Sequence, residues 1–316
     1  MAKKTILAIV CPCFNEEEII EDSARELIKK LKALEEKDLI SDESYIYYVN
    51  DGSKDSTWKL LKKISDSSDQ VKALNLAKNV GHQNAIWAGM VQNKDRTDAI
   101  ITMDSDLQDD LDVIDKFLEA FHDGHDICYG VKEERQADTL FKSFSAKLFY
   151  KIMASLGVEL IYNHADFRLI SAKVAKNLVQ FNEYNLFLRG IFPLMGFKFK
   201  KIHYNIKDRI GGDSKYTFMK MLKLAINGIT SFSDRPLYYV FLLGTLVSGF
   251  AFVMILYALL VTMFGQTVPG WASTIIPTYL LGGIQLLCLG IIGIYVGKIF
   301  METKSRPRFL VDEELN

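Results

Sequence analysis

The chain has 316 residues, a formal net charge of −1 and 49% hydrophobic residues. So balanced a charge gives it no general attraction to nucleic acid, and the length suits one large domain or two smaller ones. The composition is uneven: Leu237 to Gly297 contains no Asp, Glu, Lys or Arg, whereas the chain before it is richly charged, which describes a soluble domain followed by a membrane region.

In chain order, MAKKTILAIVCPCFNEE opens with an apolar run too short for a secretory signal and without a small-residue cleavage site. The large domain is therefore expected in the cytoplasm. Within that stretch TILAIVCPCF reads as a buried strand, and Glu16 to Lys37 as an amphipathic helix with Ile19, Ile20, Leu27, Leu31 and Leu34 on its apolar side. Tyr45 to Val49 is a second strand ending in an Asp-Gly turn, followed by a helix over Thr57 to Ile64. VKALNLA, GHQNAIWAGMVQ and DAIITMDSD give a third strand, a third helix and a fourth strand. Strands alternating with helices indicate a mostly parallel sheet, in which ligands sit beyond the C-terminal strand ends. The polar clusters PCFNEE, NDGS and DSDLQD all fall at such ends. No repeat or low-complexity tract is visible. The 4 cysteines include Cys11 and Cys13, but no second pair follows, so they read as ordinary strand residues in a reducing compartment.

Asp104 and Asp106 stand two apart. If the backbone is extended there, both side chains point the same way. Carboxylates converging on one point repel unless a cation or proton lies between them, and a hard divalent cation whose shell is completed by phosphates suits such a pair. Taken alone, DSDLQDD also fits a solvated acidic loop capping the next helix.

Thr139 to Leu156 and Tyr216 to Phe232 both carry apolar residues at helical spacing beside lysines. Basic amphipathic helices of this kind lie on anionic membrane surfaces, or else pack on the sheet. LYYVFLLGTLVSGFAFVMILYALLVTMF and ASTIIPTYLLGGIQLLCLGIIGIYVG are each long enough to cross a bilayer. Lys215, Lys220, Lys223 and Arg235 precede the pair, and Lys298, Lys304, Arg306 and Arg308 follow it. Positive flanks mark the cytoplasmic side, so a two-span hairpin with both termini in the cytoplasm is expected. The outward turn falls near Pro269-Gly270. No charge lies inside the spans, so they read as an anchor rather than an ion pathway.

PCFNEEE, VNDGSKDST, NVGHQNAIWAGM, DSDLQD, ADFRLIS, RIGGDSKY and the tail KIFMETKSRPRFLV occur in this order. Together they resemble the family 2 glycosyltransferases that load a sugar onto a polyprenyl phosphate: the bacterial bactoprenol glucosyltransferases and their relative dolichyl-phosphate mannose synthase. The likeness runs over nearly the whole chain. It implies an α/β fold, a GT-A-type nucleotide-sugar-binding domain with a mostly parallel sheet, followed by amphipathic interface helices and two transmembrane helices. The expected divisions are 1–215 for the catalytic domain, 216–235 for the interface helix, 236–300 for the hairpin and 301–316 for a cytoplasmic tail.

The resemblance assigns Pro12, Phe14, Asn15, Glu16, Asn50, Asp51, Ser53, Lys78 and Gly81 to the nucleotide sugar. It assigns Asp104 and Asp106, with Gln108 adjacent, to a Mg²⁺ or Mn²⁺ ion and the donor diphosphate. Many relatives have Asp where this chain has Asn50; an amide donates as well as accepts, so more weight falls on Asp51. The attacking oxygen belongs to a lipid phosphate that is already ionised near neutral pH, so no strong general base is needed. A cationic cradle for two anionic substrates is needed instead. Lys132, Arg135, Arg168, Arg209 and Lys215 are its candidates, with Ser214 on the same loop as Lys215. Asp166 matches a family motif and is expected to orient Arg168 or the sugar. His82 is expected to support the nucleotide loop and His164 to be structural.

The implied activity is transfer of glucose from a UDP-sugar to undecaprenyl phosphate with inversion, for modification of a cell-envelope glycan. UDP-N-acetylglucosamine, UDP-galactose and GDP-mannose are the alternative donors. A homo-oligomer, a flippase and a downstream transferase that uses the lipid-linked sugar are the further expected partners. A processive polysaccharide synthase would carry a Gln-x-x-Arg-Trp motif, and none of Trp58, Trp87 and Trp271 follows an arginine. The remaining alternative is a non-catalytic membrane protein that senses nucleotide sugars, against which the intact Asp104, Asp106, Arg209 and Lys215 stand.

Overall fold

A computed structural model gives the structure of the chain and describes residues 4–133, 161, 164–181, 183, 186–205, 229–230, 233–263 and 270–315. Its elements are β1 (Leu7–Cys13), α1 (Ile20–Glu36), β2 (Tyr45–Asn50), α2 (Thr57–Ser67), β3 (Val71–Leu76), α3 (His82–Asn93), β4 (Ala99–Thr102), α4 (Val113–His122), β5 (Ile127–Lys132), β6 (His164–Ser171), α5 (Ala172–Leu178), α6 (Leu188–Leu194), β7 (Phe199–Tyr204), α7 (Arg235–Met263), α8 (Trp271–Thr303) and β8 (Val311–Leu315). The expected runs over 139–156 and 216–232 lie outside the described residues except for 229–230, as do Arg135, Arg209, Ser214 and Lys215.

One 8-stranded sheet runs in the order β7-β5-β6-β4-β1-β2-β3-β8. β1 pairs in parallel with β2 and β4, and β2 with β3. This is the alternation read from the sequence. β6 runs antiparallel between β4 and β5, and β8 antiparallel beside β3, so the sheet is mixed but mostly parallel. β1 and β2 are buried along their whole length, as parallel strands covered on both faces must be. α1 seats Leu27, Leu31 and Leu34 in the core on one side. On the other side α3 packs against β1 and β2. Its close approach depends on Gly89, because a Cβ there would collide with Val10.

Helix α1 begins at Ile20 rather than at the expected Glu16. Ahead of it, Glu16 N–H donates to Thr57 Oγ1 and Glu17 N–H to Asp55 Oδ2, so the segment before α1 is tied to the α2 entry loop. The tail also differs from a free extension. Residues 311–315 form the edge strand β8, held by Glu313 on Lys62 and by Glu314 on Arg96.

Contacts divide the chain into two units. One is Met1–Lys147 with Glu159–Lys215 and Arg306–Asn316; the other is Leu148–Val158 with Tyr216–Ser305. The second contains α7 and α8, both long and apolar enough to cross a bilayer by length and composition. Helix α8 opens at Trp271, one residue past the expected turn at Pro269-Gly270. Large apolar side chains such as Phe241, Phe250, Leu286 and Leu289 lie exposed on these helices, which in water would be an unsatisfied apolar patch.

Candidate active site

Because β1, β2 and β4 are parallel neighbours, their C-terminal ends deliver residues 13–16, 51–53 and 103–109 to one sheet edge. β6 runs the other way beside β4, with Arg168 opposite Thr102, so its first residues reach the same edge. A cavity of about 390 Å³ there is lined by Pro12, Phe14, Glu16, Asp51, Asn79, Gly81, His82, Asp104 and Asp106, among others. Of the expected nucleotide residues, Pro12, Phe14, Glu16, Asp51 and Gly81 line this cavity. Asn15 lines the neighbouring one, with Glu17, Lys54 and Asp55. Asn50 is 1% exposed and sits behind the wall, bonded to Ser53. Lys78 is exposed and lines neither cavity.

The loops that form the wall are tightly built. Asp51 accepts from Val80 N–H at 2.7 Å and Gly81 N–H at 2.9 Å, so both its oxygens hold the β3–α3 loop in place. Burial raises its pKa, against the pull of those bonds. Gly52 has φ +64 and its missing Cβ would fall 2.6 Å from Asn79 N, a place only glycine fits. Asn15 and Leu107 also hold positive φ, at 56° and 50°. For leucine this is a strained conformation of a kind concentrated at functional sites.

The extended-strand argument for Asp104 and Asp106 needs correction. β4 ends at Thr102, and both aspartates lie in the loop beyond it. They line the same cavity all the same. Asp106 is exposed and accepts from Gln108 Nε2 at 2.7 Å, so the Gln108 amide nitrogen clamps Asp106. Asp104 keeps 48% of its side chain accessible, yet the surrounding walls desolvate its carboxyl and push its pKa up to about 6; His82 opposes this, while Asp109, Asp166 and Asp106 add to it. Glu16 is likewise raised, by burial and then by Asp106, Asp55 and Asp104. The described residues hold no group of three or more side chains able to cage a metal. Asp104 and Asp106 beside an open cavity nevertheless fit a hard divalent cation, which is commonly bound through one or two carboxylates plus substrate phosphates and water.

A second cluster adjoins the aspartates. His82, the first residue of α3, has Nε2 3.5 Å from Asp104 Oδ1 and 3.5 Å from Asp166 Oδ2. Asp166 also accepts from Arg168 Nη2 at 2.6 Å and from Arg189 Nη2 at 3.2 Å. Burial opposes its charge, but His82, Arg168 and Arg189 hold the carboxyl well below the usual range. Burial pulls His82 down, yet Asp166 and Asp104 raise its pKa overall. The expectation that Arg168 offers its charge to substrate is corrected by its burial: it is 1% exposed, bonded to Asp166 and Ala165 O, and stacked on Phe192. Arg189, which the sequence reading missed, is the half-exposed cation of the cluster, with 39% of its side chain accessible. No motif around NLFLRG announces it. His164 is buried, with Nδ1 2.7 Å from Ile161 O, and burial drives its pKa down to about 3.

Lys132, expected at the acceptor phosphate, lies 3.3 Å from the buried Asp109. Asp109 also accepts from Tyr204 Oη at 2.6 Å. The ends of β5 and β7 thus brace the loop that carries Asp104 and Asp106.

The family model described as glycosyl transferase family 2 matches residues 8–179. The chain is 46% identical to the uncharacterized glycosyltransferase YkoT of Bacillus subtilis (strain 168), over 98% of this chain and 92% of that protein. It is 36% identical to the bactoprenol glucosyl transferase of Shigella phage SfX, over 96% of this chain and 98% of that one. Among solved structures it is similar to glucosyl-3-phosphoglycerate synthase from Mycobacterium tuberculosis in complex with Mn²⁺, UDP-glucose and phosphoglyceric acid. There the identity is 13%, the TM-score 0.45, and the match covers 72% of this chain and 78% of that one. The family model and the near-full-length relatives, joined to a mostly parallel sheet with its acidic cluster at the strand ends, make the chain a glycosyltransferase of family 2 with a GT-A-type α/β fold.

Proposed function

We propose that the enzyme transfers glucose from UDP-glucose to polyprenyl phosphate, with undecaprenyl phosphate as the acceptor, and inverts the anomeric centre. The observation that carries this reading is the cavity with Asp104 and Asp106 on its wall and the His82–Asp166–Arg189 cluster beside it. The name of the phage relative and its near-complete overlap with this chain support the acceptor.

In this reading Pro12, Phe14 and Glu16 border the nucleotide, with Asp51 holding Gly81 against it. Asp104 and Asp106 would hold Mg²⁺ or Mn²⁺, which offsets diphosphate charge and makes UDP a better leaving group. A lipid phosphate oxygen attacks the anomeric carbon from the face opposite UDP. The new C–O bond forms as the bond to the diphosphate breaks, and its electron pair leaves with UDP. No proton has to move, because the attacking oxygen is already ionised. Arg189 supplies positive charge beside the transferring sugar, oriented by Asp166. Lys132, Arg135, Arg209, Ser214 and Lys215 form the acceptor side.

The catalytic domain and both termini face the cytoplasm, and α7 and α8 form the membrane hairpin. The product then needs a flippase and a transferase that consumes lipid-linked glucose. The test presents purified protein and undecaprenyl phosphate with each of labelled UDP-glucose, UDP-N-acetylglucosamine, UDP-galactose and GDP-mannose. Label should reach the extracted lipid from UDP-glucose, with inverted configuration. Label from another donor alone reassigns the sugar, and no labelled lipid from any donor overturns the reading.

A further inference from the structure

The C-terminal strand is joined to the donor side of the sheet edge by a chain of side-chain hydrogen bonds. Asp312 Oδ2 accepts from Asn75 Nδ2 at 2.9 Å. Asn75 Oδ1 accepts from Asn50 Nδ2 at 2.6 Å. Asn50 Oδ1 accepts from Ser53 Oγ at 2.5 Å, and Ser53 Oγ accepts from Asn15 N–H at 2.9 Å.

The direction of this chain is set at its far end. An ionised carboxylate only accepts hydrogen bonds, whereas an amide does both. Asn75 must therefore turn its nitrogen to Asp312, which leaves its oxygen for Asn50. Asn50 gives its nitrogen in turn and keeps its oxygen for the Ser53 hydroxyl. With that hydrogen committed, Ser53 presents lone pairs to Asn15. Asn50 is 1% exposed, so its amide has no water to turn to.

The strand register shows how Asp312 reaches Asn75. Glu313 pairs with Asn75 and Val311 with Leu76, with a register shift at that point. Asp312 is the extra residue of a β-bulge, the device by which strands re-aim a side chain near a site. At the other end, Asn15 has φ 56 and lies between Phe14 and Glu16, both of which line the donor cavity.

We propose that Asp312, Asn75 and Asn50 are positioning residues for the nucleotide loop, so that the C-terminal strand completes the donor pocket. This rests on the nucleotide-sugar reading above. It accounts for the place of Asn50 behind the pocket wall: its amide joins Asn75 to Ser53, a link that a carboxylate, being an acceptor only, does not make.

The test uses the full chain in detergent and compares Asp312→Ala, Asp312→Asn and Glu313→Ala with the parent. UDP binding is measured by calorimetry with Mn²⁺, and initial rates are taken against each substrate. A hydrogen bond of this kind contributes about 0.5–1.5 kcal/mol. Asp312→Ala should therefore weaken UDP binding and raise the donor KM roughly two- to twelvefold, with kcat and lipid dependence unchanged. Asp312→Asn keeps an acceptor oxygen and should recover most of the loss. Glu313→Ala removes the contacts from Lys62 and Trp58 but spares the chain of bonds, and should bind UDP like the parent. Equal weakening by Asp312→Ala and Glu313→Ala would mean that only anchoring of the strand matters, and it overturns the proposal, as does parent-like binding by Asp312→Ala. A parent that binds no UDP overturns the nucleotide-sugar reading and this proposal with it.

Discussion

His82 Nε2 stands 3.5 Å from Asp104 Oδ1, a carboxylate whose pKa is pushed up to about 6 by loss of solvent. His82 does not offset that loss of solvent, to which the charges of Asp109, Asp166 and Asp106 add. The folded state therefore carries a charge it disfavours, which a bound divalent cation would relieve.

A pH signature follows from the direction of that shift. Below about pH 4, the ordinary carboxylate range, Asp104 is protonated in both folded and unfolded chains and contributes nothing. Above about 6 it is ionised in both, and the folded state bears the cost, so its contribution becomes destabilising as pH rises through that window. Asp104→Asn should raise the thermal midpoint at pH 7.5 without divalent cation, give little gain near pH 4, and abolish transfer. A lower midpoint at pH 7.5 would contradict the view that the folded state disfavours this charge.

Tyr204 Oη donates to the buried Asp109 at 2.6 Å. Tyr204→Phe leaves that carboxylate one donor short, which typically costs about 1–3 kcal/mol. The Asp104–Asp106 loop should loosen with it, so the Mn²⁺ concentration for half-maximal rate should rise along with the drop in stability. A variant with the parent's midpoint and metal dependence would show that Asp109 does not brace this loop.

Gly52 is held at φ +64 with no room for a Cβ against Asn79 N. Gly52→Ala should cost on the order of 1–3 kcal/mol of stability from the strained backbone, and UDP affinity should fall as the wall shifts. Unchanged unfolding and UDP binding together would refute the close-packed wall.

Membrane orientation has its own test. With Cys288 replaced, Ser273→Cys near the start of α8 should react with an impermeant thiol reagent added outside intact cells, and Ser305→Cys should not. The reverse pattern would invert the proposed topology.

What the sequence made legible follows from what is local. β1 to β4 showed because β-branched and aromatic runs end in polar turns, and DSDLQD showed because such a concentration of acid after an apolar run is rare. The spacing of Asp104 and Asp106 pointed to a loop that lines the cavity, for a reason that fails in detail, since the strand stops at Thr102. β8 was hidden because Val311–Leu315 is acid-rich and a poor strand by propensity. Its stability comes from Lys62, Arg96 and Tyr47, residues more than 200 positions away. Arg189 was hidden for the same reason: only the fold brings it to Asp166.

The central claim is that Asp104 and Asp106 gather the metal and the donor diphosphate for transfer to a lipid phosphate. Its most direct test is the initial rate of label transfer from UDP-glucose to undecaprenyl phosphate, by the parent and by Asp106→Asn, with Mn²⁺ and after chelation. Loss of one electrostatic contact at a reacting centre typically costs on the order of a hundredfold or more in rate. The account predicts at least that loss in Asp106→Asn, and a parent silenced by chelator and restored by Mn²⁺ or Mg²⁺. Parent-like transfer by Asp106→Asn, together with full activity in chelator, would contradict it.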